Sequence, residues 1–156
     1  MKYSKQDAKA YARQNFRGVW AATLTPFADD LKMDEAAYRS NLRHWARTLK
    51  LGRRLYLCST PPFLLQTAVD QRINDYTALA FAGNHAEAKI VRDSLNPAHE
   101  AFRQSRPQGK PQAHSKYWLE QLGQAGGPVR RPLLQMSDAE KALTRKALAR
   151  SGLRLS

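Results

Sequence analysis

The sequence predicts an α/β chain that is mostly helical, with one or two short parallel strands and a helical C-terminal region. Three observations predict it. Residues 18–27 read Gly-Val-Trp-Ala-Ala-Thr-Leu-Thr-Pro-Phe, apolar at first and polar at Thr23 and Thr25, and Pro26 cannot continue a paired strand. That is the pattern of a short buried strand of a parallel sheet. Behind it, Tyr38, Leu42, Trp45 and Leu49 recur at helical spacing. From residue 63 onward the apolar periodicity is helical in every segment.

The chain has 156 residues, 42% hydrophobic and 25% charged, which suits one folded domain and excludes compositional disorder. Its formal net charge is +13 and its pI about 10.3. Nucleic-acid binders share such an excess, but here the basic residues are dispersed and sit beside acids, with no block of like charge. Binding to nucleic acid is therefore expected to be weak and non-specific. A lone cysteine, Cys58, excludes a disulfide or a CxxC metal site within the chain and reads as a small buried hydrophobe. No apolar run approaches a membrane span, and the N-terminus lacks the apolar core of a secretory signal, so the cytoplasm is the expected location.

Taken in order, residues 4–15 read as a short helix capped by Ser4, with Ala8, Tyr11, Ala12 and Asn15 on one face. After the first strand, Ala28-Asp29-Asp30 is a turn, and Asp34 is the expected N-cap of the next helix. Gly52 is placed to end that helix. Leu55-Tyr56-Leu57-Cys58 is the second strand candidate, closed by Ser59-Thr60 and Pro61-Pro62. Paired in parallel with the first, it makes the helix between them a right-handed crossover. Both strands then present hydroxyl residues at the edge where parallel α/β sheets hold ligands. An equal reading is that these hydroxyls simply end strands and cap helices.

The remainder reads as helices. Leu65, Val69, Ile73, Tyr76 and Ala80 share one face, and Gly83 stops that helix. Asn84 with Glu87 is an N-cap pair for the next, whose face is Ile90, Val91, Leu95, Ala98 and Phe102. Pro97 is expected to kink or split it at Asn96. Residues 111–124 form a further helix with Tyr117, Trp118, Leu119 and Leu122 inward. Gly126-Gly127-Pro128 breaks it, and residues 129–136 are irregular. Ser137 to Glu140 is a capping box that opens a last helix, with Leu143, Ala147 and Leu148 inward and Gly152 at its end.

No complete catalytic constellation is present. GxGxxG, P-loop, HExxH and GxSxG are all absent. His44, His85, His99 and His114 are scattered, and no two stand at helical metal-ligand spacing. Lys116 precedes Tyr117, and a lysine beside a tyrosine is a conceivable imine site. The basic start of that helix favours a solvated face for Lys116 instead.

The segment from Gly18 to Phe27, followed by Met33-Asp34 and the helix through Tyr38, Leu42 and Trp45, resembles the opening of the dihydrodipicolinate synthase / N-acetylneuraminate lyase family. The later part is similar to that family's closing region. Its marks are Phe81-Ala82-Gly83-Asn84 with Glu87-Ala88, then Leu95-Asn96-Pro97 to Phe102. The closing match is Gly126-Gly127-Pro128-Val129-Arg130-Arg131-Pro132-Leu133-Leu134 with Ser137-Asp138-Ala139-Glu140-Lys141. The resemblance implies a (β/α)8 barrel with extra C-terminal helices and a class I aldolase mechanism on pyruvate, with no cofactor or metal.

Such a barrel takes about 250 residues. The resemblance therefore implies a partial, internally deleted barrel, with residues 1–60 as its opening strand-helix unit and 61–156 as its closing helices. The join falls within residues 51–62, and Leu55 to Thr60 is either the second strand or a late one. The family's imine-forming lysine ends its sixth strand and its proton-relay tyrosine belongs to the fifth; no stretch of this chain matches either. Thr25, Ser59 and Thr60 are implied near a substrate carboxylate. Residues 1–60, short of strand partners, are expected to dock loosely and to promote self-association. The alternative is a small basic helical protein that binds nucleic acid or a protein partner.

Overall fold

The computed structural model describes residues 24–49 and 62–155, together with helical residues at Gln6, Asp7, Ala10, Tyr11 and Gln14 in the expected first helix. Six α-helices follow in order: α1, Glu35–Arg43; α2, Arg72–Phe81; α3, His85–Asp93; α4, Asn96–Gln104; α5, Pro111–Gln121; α6, Asp138–Ala149. Among the described residues there is no strand. The sole ladder element in them is an isolated antiparallel bridge between Phe27 and Met33. The predominantly helical character is thus observed, and the described residues do not make a full barrel. Of the first expected strand, Leu24 and Thr25 are described and neither pairs in a ladder; the second candidate, Leu55 to Cys58, lies outside the described residues. No described helix is long and apolar enough to cross a membrane.

Asp34 caps α1 as expected, its carboxylate accepting from the Ala37 N–H at 2.9 Å. The helix then widens into a π turn, His44–Thr48, and Leu49 N–H donates to His44 O five residues back. Asn41, Trp45 and Leu49 become the buried face, while Leu42 is turned to solvent. The expected apolar stripe is corrected at that position: a buried amide replaces the leucine because the facing backbone needs hydrogen bonds.

Residues 63–67 are buried without forming an α-helix. A short 3-10 turn, Pro62–Leu64, leads into them, and α2 starts only at Arg72 rather than near residue 63. The cause is competition for backbone groups. Trp118 Nε1 donates to Leu64 O at 2.7 Å and Gln124 Nε2 to Phe63 O at 2.9 Å. Thr67 Oγ1 accepts from the Asp70 N–H at 3.0 Å, which closes a local turn where a helix needs the same amide.

Pro97 splits its segment as expected and lies in the first turn of α4. Asn84 sits at the N-cap of α3 without a side-chain cap bond, and Ile90 is exposed rather than on the core face. The capping box of α6 forms in both directions, between Ser137 and Glu140. Thr144 and Leu148 face inward there, but Leu143 does not; it is 63% exposed.

One core joins the early and late parts of the chain. Trp45 stacks on Phe63 with centroids 4.4 Å apart, and Leu49, Leu64, Leu65, Ala98, Phe102, Trp118, Leu119 and Leu148 complete it. Residues 24–49 therefore contribute to the same apolar cluster as the closing helices.

A buried ion pair straps the C-terminal tail to this core. The Asp70 side chain is fully buried and takes Arg72 Nε at 2.8 Å and Nη2 at 2.6 Å. It also accepts from the Arg154 N–H at 3.2 Å, while Arg72 reaches Ser94 O and Gly152 O. Burial alone raises the Asp70 pKa, but the bonds from Arg72 and the Arg154 backbone outweigh it and hold the group below its ordinary 3.8. The stabilisation is then fully present above the unfolded pKa and fades as pH falls through the folded one. Asp70→Asn is expected to cost about 3 kcal/mol at neutral pH and to flatten the acid limb of the stability profile. Urea midpoints measured from acid to neutral pH check this; wild type and variant losing stability in parallel on acidification would exclude the role.

Candidate functional site

The turn carrying Thr25-Pro26-Phe27 meets the break Gly126-Gly127-Pro128, and the most unusual chemistry of the described chain lies where they touch. The turn is closed by local bonds: Asp34 N–H to Pro26 O at 3.0 Å, Ala28 N–H to Lys32 O at 3.0 Å and Leu31 N–H to Ala28 O at 2.8 Å. Leu31 pays for this tightness with a φ of 63°, in the left-handed region. Arg130 Nε holds the Leu31 carbonyl at 2.7 Å.

The opposite wall admits only glycine. A Cβ at Gly127, whose φ is +72°, would stand 2.5 Å from Phe27 O, and one at Gly126 would stand 2.3 Å from Lys116 O. Beside them Asn41 pairs with the Ala125 backbone in both directions, Nδ2 to O at 2.7 Å and N–H to Oδ1 at 2.8 Å. Trp45 Nε1 donates to Gln124 Oε1. The segment after α5 is thus pinned residue by residue to α1 and to the turn.

Lys116 lies inside this junction. It is 4% exposed, donates from Nζ to Pro128 O at 2.7 Å and stands 4.4 Å from the Phe27 ring centroid. The Arg130 guanidinium carbon lies 4.2 Å from the same centroid. Two cations share one aromatic ring, an arrangement stabilised by the ring quadrupole. Burial pushes the Lys116 pKa down to about 8; Glu120 opposes that shift and Arg130 adds to it. The solvated face expected for Lys116 is therefore corrected. Helix α5 is buried at Ala113, His114, Lys116, Trp118 and Leu119, on more than one face, and a lysine stem in so crowded a helix is drawn inward. The clue in the sequence was the apolar density of Tyr117-Trp118-Leu119 beside a double glycine.

A cavity of about 290 Å3 opens next to the junction, walled in part by Asp29, Tyr117, Glu120, Gly127, Gln135 and Lys141. Lys116 is not among its walls. Glu120 Oε1 is engaged by the Gly127 N–H at 2.8 Å, and Arg145 hydrogen-bonds the Tyr117 hydroxyl.

His114 is the second buried titratable group. It packs on Phe102, with centroids 4.8 Å apart, and its Nε2 is 2.9 Å from Ser105 Oγ. Burial, with a smaller contribution from Arg106, pushes its pKa down to about 4, so the ring is neutral at pH 7. Nδ1 is buried and has no hydrogen-bond partner. A buried lone pair costs less than a buried N–H, so the proton belongs on Nε2, which donates to Ser105. The Ser105 hydroxyl is then free to reach Phe102 O at 3.4 Å. The pair is a lock at the end of α4, not a nucleophile and its base. Among the described residues no cluster of His, Cys, Asp or Glu is arranged to hold a metal ion.

Of the residues implied to bind a substrate carboxylate, Thr25 is half-buried beside the buried Pro26; Ser59 and Thr60 lie outside the described residues.

The chain has a relative with a known activity. Over 86 residues it is 31% identical to a 4-hydroxy-tetrahydrodipicolinate synthase of Halorhodospira halophila. The matched stretch is 54% of this chain and 27% of that synthase, so the chain spans about a quarter of its relative's length. No family model and no solved structure matches the chain.

Two outcomes follow from the junction. Gly127→Ala is expected to cost about 3 kcal/mol, through a left-handed alanine and a Cβ forced on Phe27 O. Thermal or urea unfolding checks it, and a loss below half of that would mean the turn gives way easily. For Lys116 the sign runs opposite to that of Asp70. Its folded pKa, about 8, lies below the ordinary 10.5, so between these values the unfolded chain binds more protons and stability rises with pH. Lys116→Met removes that rise. Stability profiles of the two proteins that stay parallel from neutral pH to 10.5 would mean that Lys116 ionises freely.

Proposed function

We propose that this chain is a dihydrodipicolinate synthase-like protein of the lyase type that lacks the imine-forming lysine segment and, alone, forms no imine with pyruvate. The observation that carries the reading is the 31% identity over 86 residues to a synthase of that kind, together with the opening motif around Thr25-Pro26-Phe27. The part of the chain at which the family's fifth and sixth strands would stand has no counterpart here. Thr25, Ser59 and Thr60 are then what remains of a carboxylate-binding edge.

Lys116 is the natural rival for the missing nucleophile, since an amine of depressed pKa attacks carbonyls readily. Its surroundings argue against it. Nζ is committed to Pro128 O and lies against the Phe27 ring, and it is not among the walls of the adjoining cavity. Imine formation needs room for a tetrahedral carbinolamine and a path for water to leave, and a lysine only 4% exposed offers little of either.

The test is direct. The protein is incubated with pyruvate near pH 8, reduced with borohydride and weighed intact. No mass gain is the expected result. A stoichiometric adduct on one lysine would overturn the proposal, and an adduct mapped to Lys116 would make that residue the nucleophile.

A further inference from the structure

We propose that the groove between α4 and α6 is a docking site for an acidic amphipathic helix of a partner polypeptide. The inference is independent of the lyase reading, since it uses neither Lys116 nor the glycine junction. The groove has a volume of about 750 Å3. Ala101, Leu143 and Ala147 give it an apolar lining. Leu143 is 63% exposed at a position where the helical pattern wants a core residue. About one and a half turns of helix, at 5.4 Å pitch and 10–12 Å diameter, fill such a volume.

The charge at the rim selects the partner. Two carboxylates border the groove, and both are already engaged. Glu100 is held by Arg103 at 2.7 Å and by Gln104, and Glu140 by Lys110 at 2.8 Å and by the Ser137 N–H. Three cations, Arg106, Lys146 and Arg150, also border it, and among the described residues none of them has an ion-pair partner. An apolar lining rimmed by uncommitted cations fits a helix with leucines on one face and glutamates on its flanks. Nucleic acid fits less well. A phosphate backbone would satisfy the rim but desolvate against the apolar lining, and no aromatic ring lines the groove for bases to stack on.

The probe is a fluorescein-labelled peptide of about 16 residues, with Leu at helical i, i+3, i+4 and i+7 spacing and Glu on both flanks. Controls replace its Leu by Ser, or its Glu by Lys. Anisotropy with the full chain at physiological salt is expected to show binding of the first peptide alone. Leu143→Asp and the double variant Lys146→Glu, Arg150→Glu should each weaken it about tenfold or more. All three positions are exposed, and circular dichroism confirms that the variants keep their helices. Failure to bind, equal binding of the Leu-free control, or unchanged affinity in both variants would overturn the proposal. So would a duplex oligonucleotide that binds more tightly and loses affinity in the charge variant, which would make the groove a nucleic-acid surface.

Discussion

Gly127 and Phe27 approach so closely that no side chain fits between their backbones, and much of the described architecture follows from that contact. Once the turn carrying Phe27 is pressed against the segment after α5, the groups on both sides must be satisfied locally. Asn41 answers for Ala125, Gln124 for Trp45 and Phe63, and Lys116 for Pro128. Each of these is a polar side chain whose burial is offset by a hydrogen bond to a backbone or side-chain group of the chain itself. The apolar core then closes around the pins rather than creating them: Trp45, Phe63, Leu64 and Trp118 all carry or adjoin one of these bonds.

This ordering explains what could be read from the sequence. Elements defined by local chemistry were legible: the Asp34 cap, the Ser137–Glu140 box, the break at Gly126-Gly127-Pro128, and the split at Pro97. Each depends on residues within four positions of one another. The misreadings are those where a distant group took over a backbone atom. The helix expected from residue 63 gave way to Trp118 and Gln124, 54 and 61 residues away along the chain. Leu42 yielded the inner face to Asn41 because Ala125, 84 residues on, required an amide. The junction's glycines were visible as breakers, but the lysine they shelter was not, since periodicity counts a lysine as polar wherever it stands.

Lys116 also illustrates why a depressed pKa is a weak guide to reactivity. Burial favours the neutral amine and Arg130 adds to it, while Glu120 favours the cation. The balance at about 8 records desolvation set against neighbouring charges, and it does not depend on whether the nitrogen is presented to a solute. A catalytic lysine needs the same desolvation with an open face. The difference lies in geometry, and the adjoining cavity is walled by Ala113 and Tyr117 on either side of it in sequence without including it.

The net charge of +13 divides along the same line. Some cations are consumed by the fold: Arg72 on Asp70, Lys110 on Glu140, Arg103 on Glu100, and Arg130 and Lys116 on Phe27. These anchor helix ends and turns, and their charge is largely spent on short-range partners. The exposed pair among them, Arg103–Glu100, adds little to stability, but together they fix which cations remain uncommitted. The excess that remains is therefore not a uniform basic coat. Where Arg106, Lys146 and Arg150 border exposed Leu143, uncommitted charge and unburied apolar area coincide on one face. Solubility would be served by the charge without the leucine, and folding by the leucine turned inward. A face that keeps both meets the physical requirements of binding better than those of either alone.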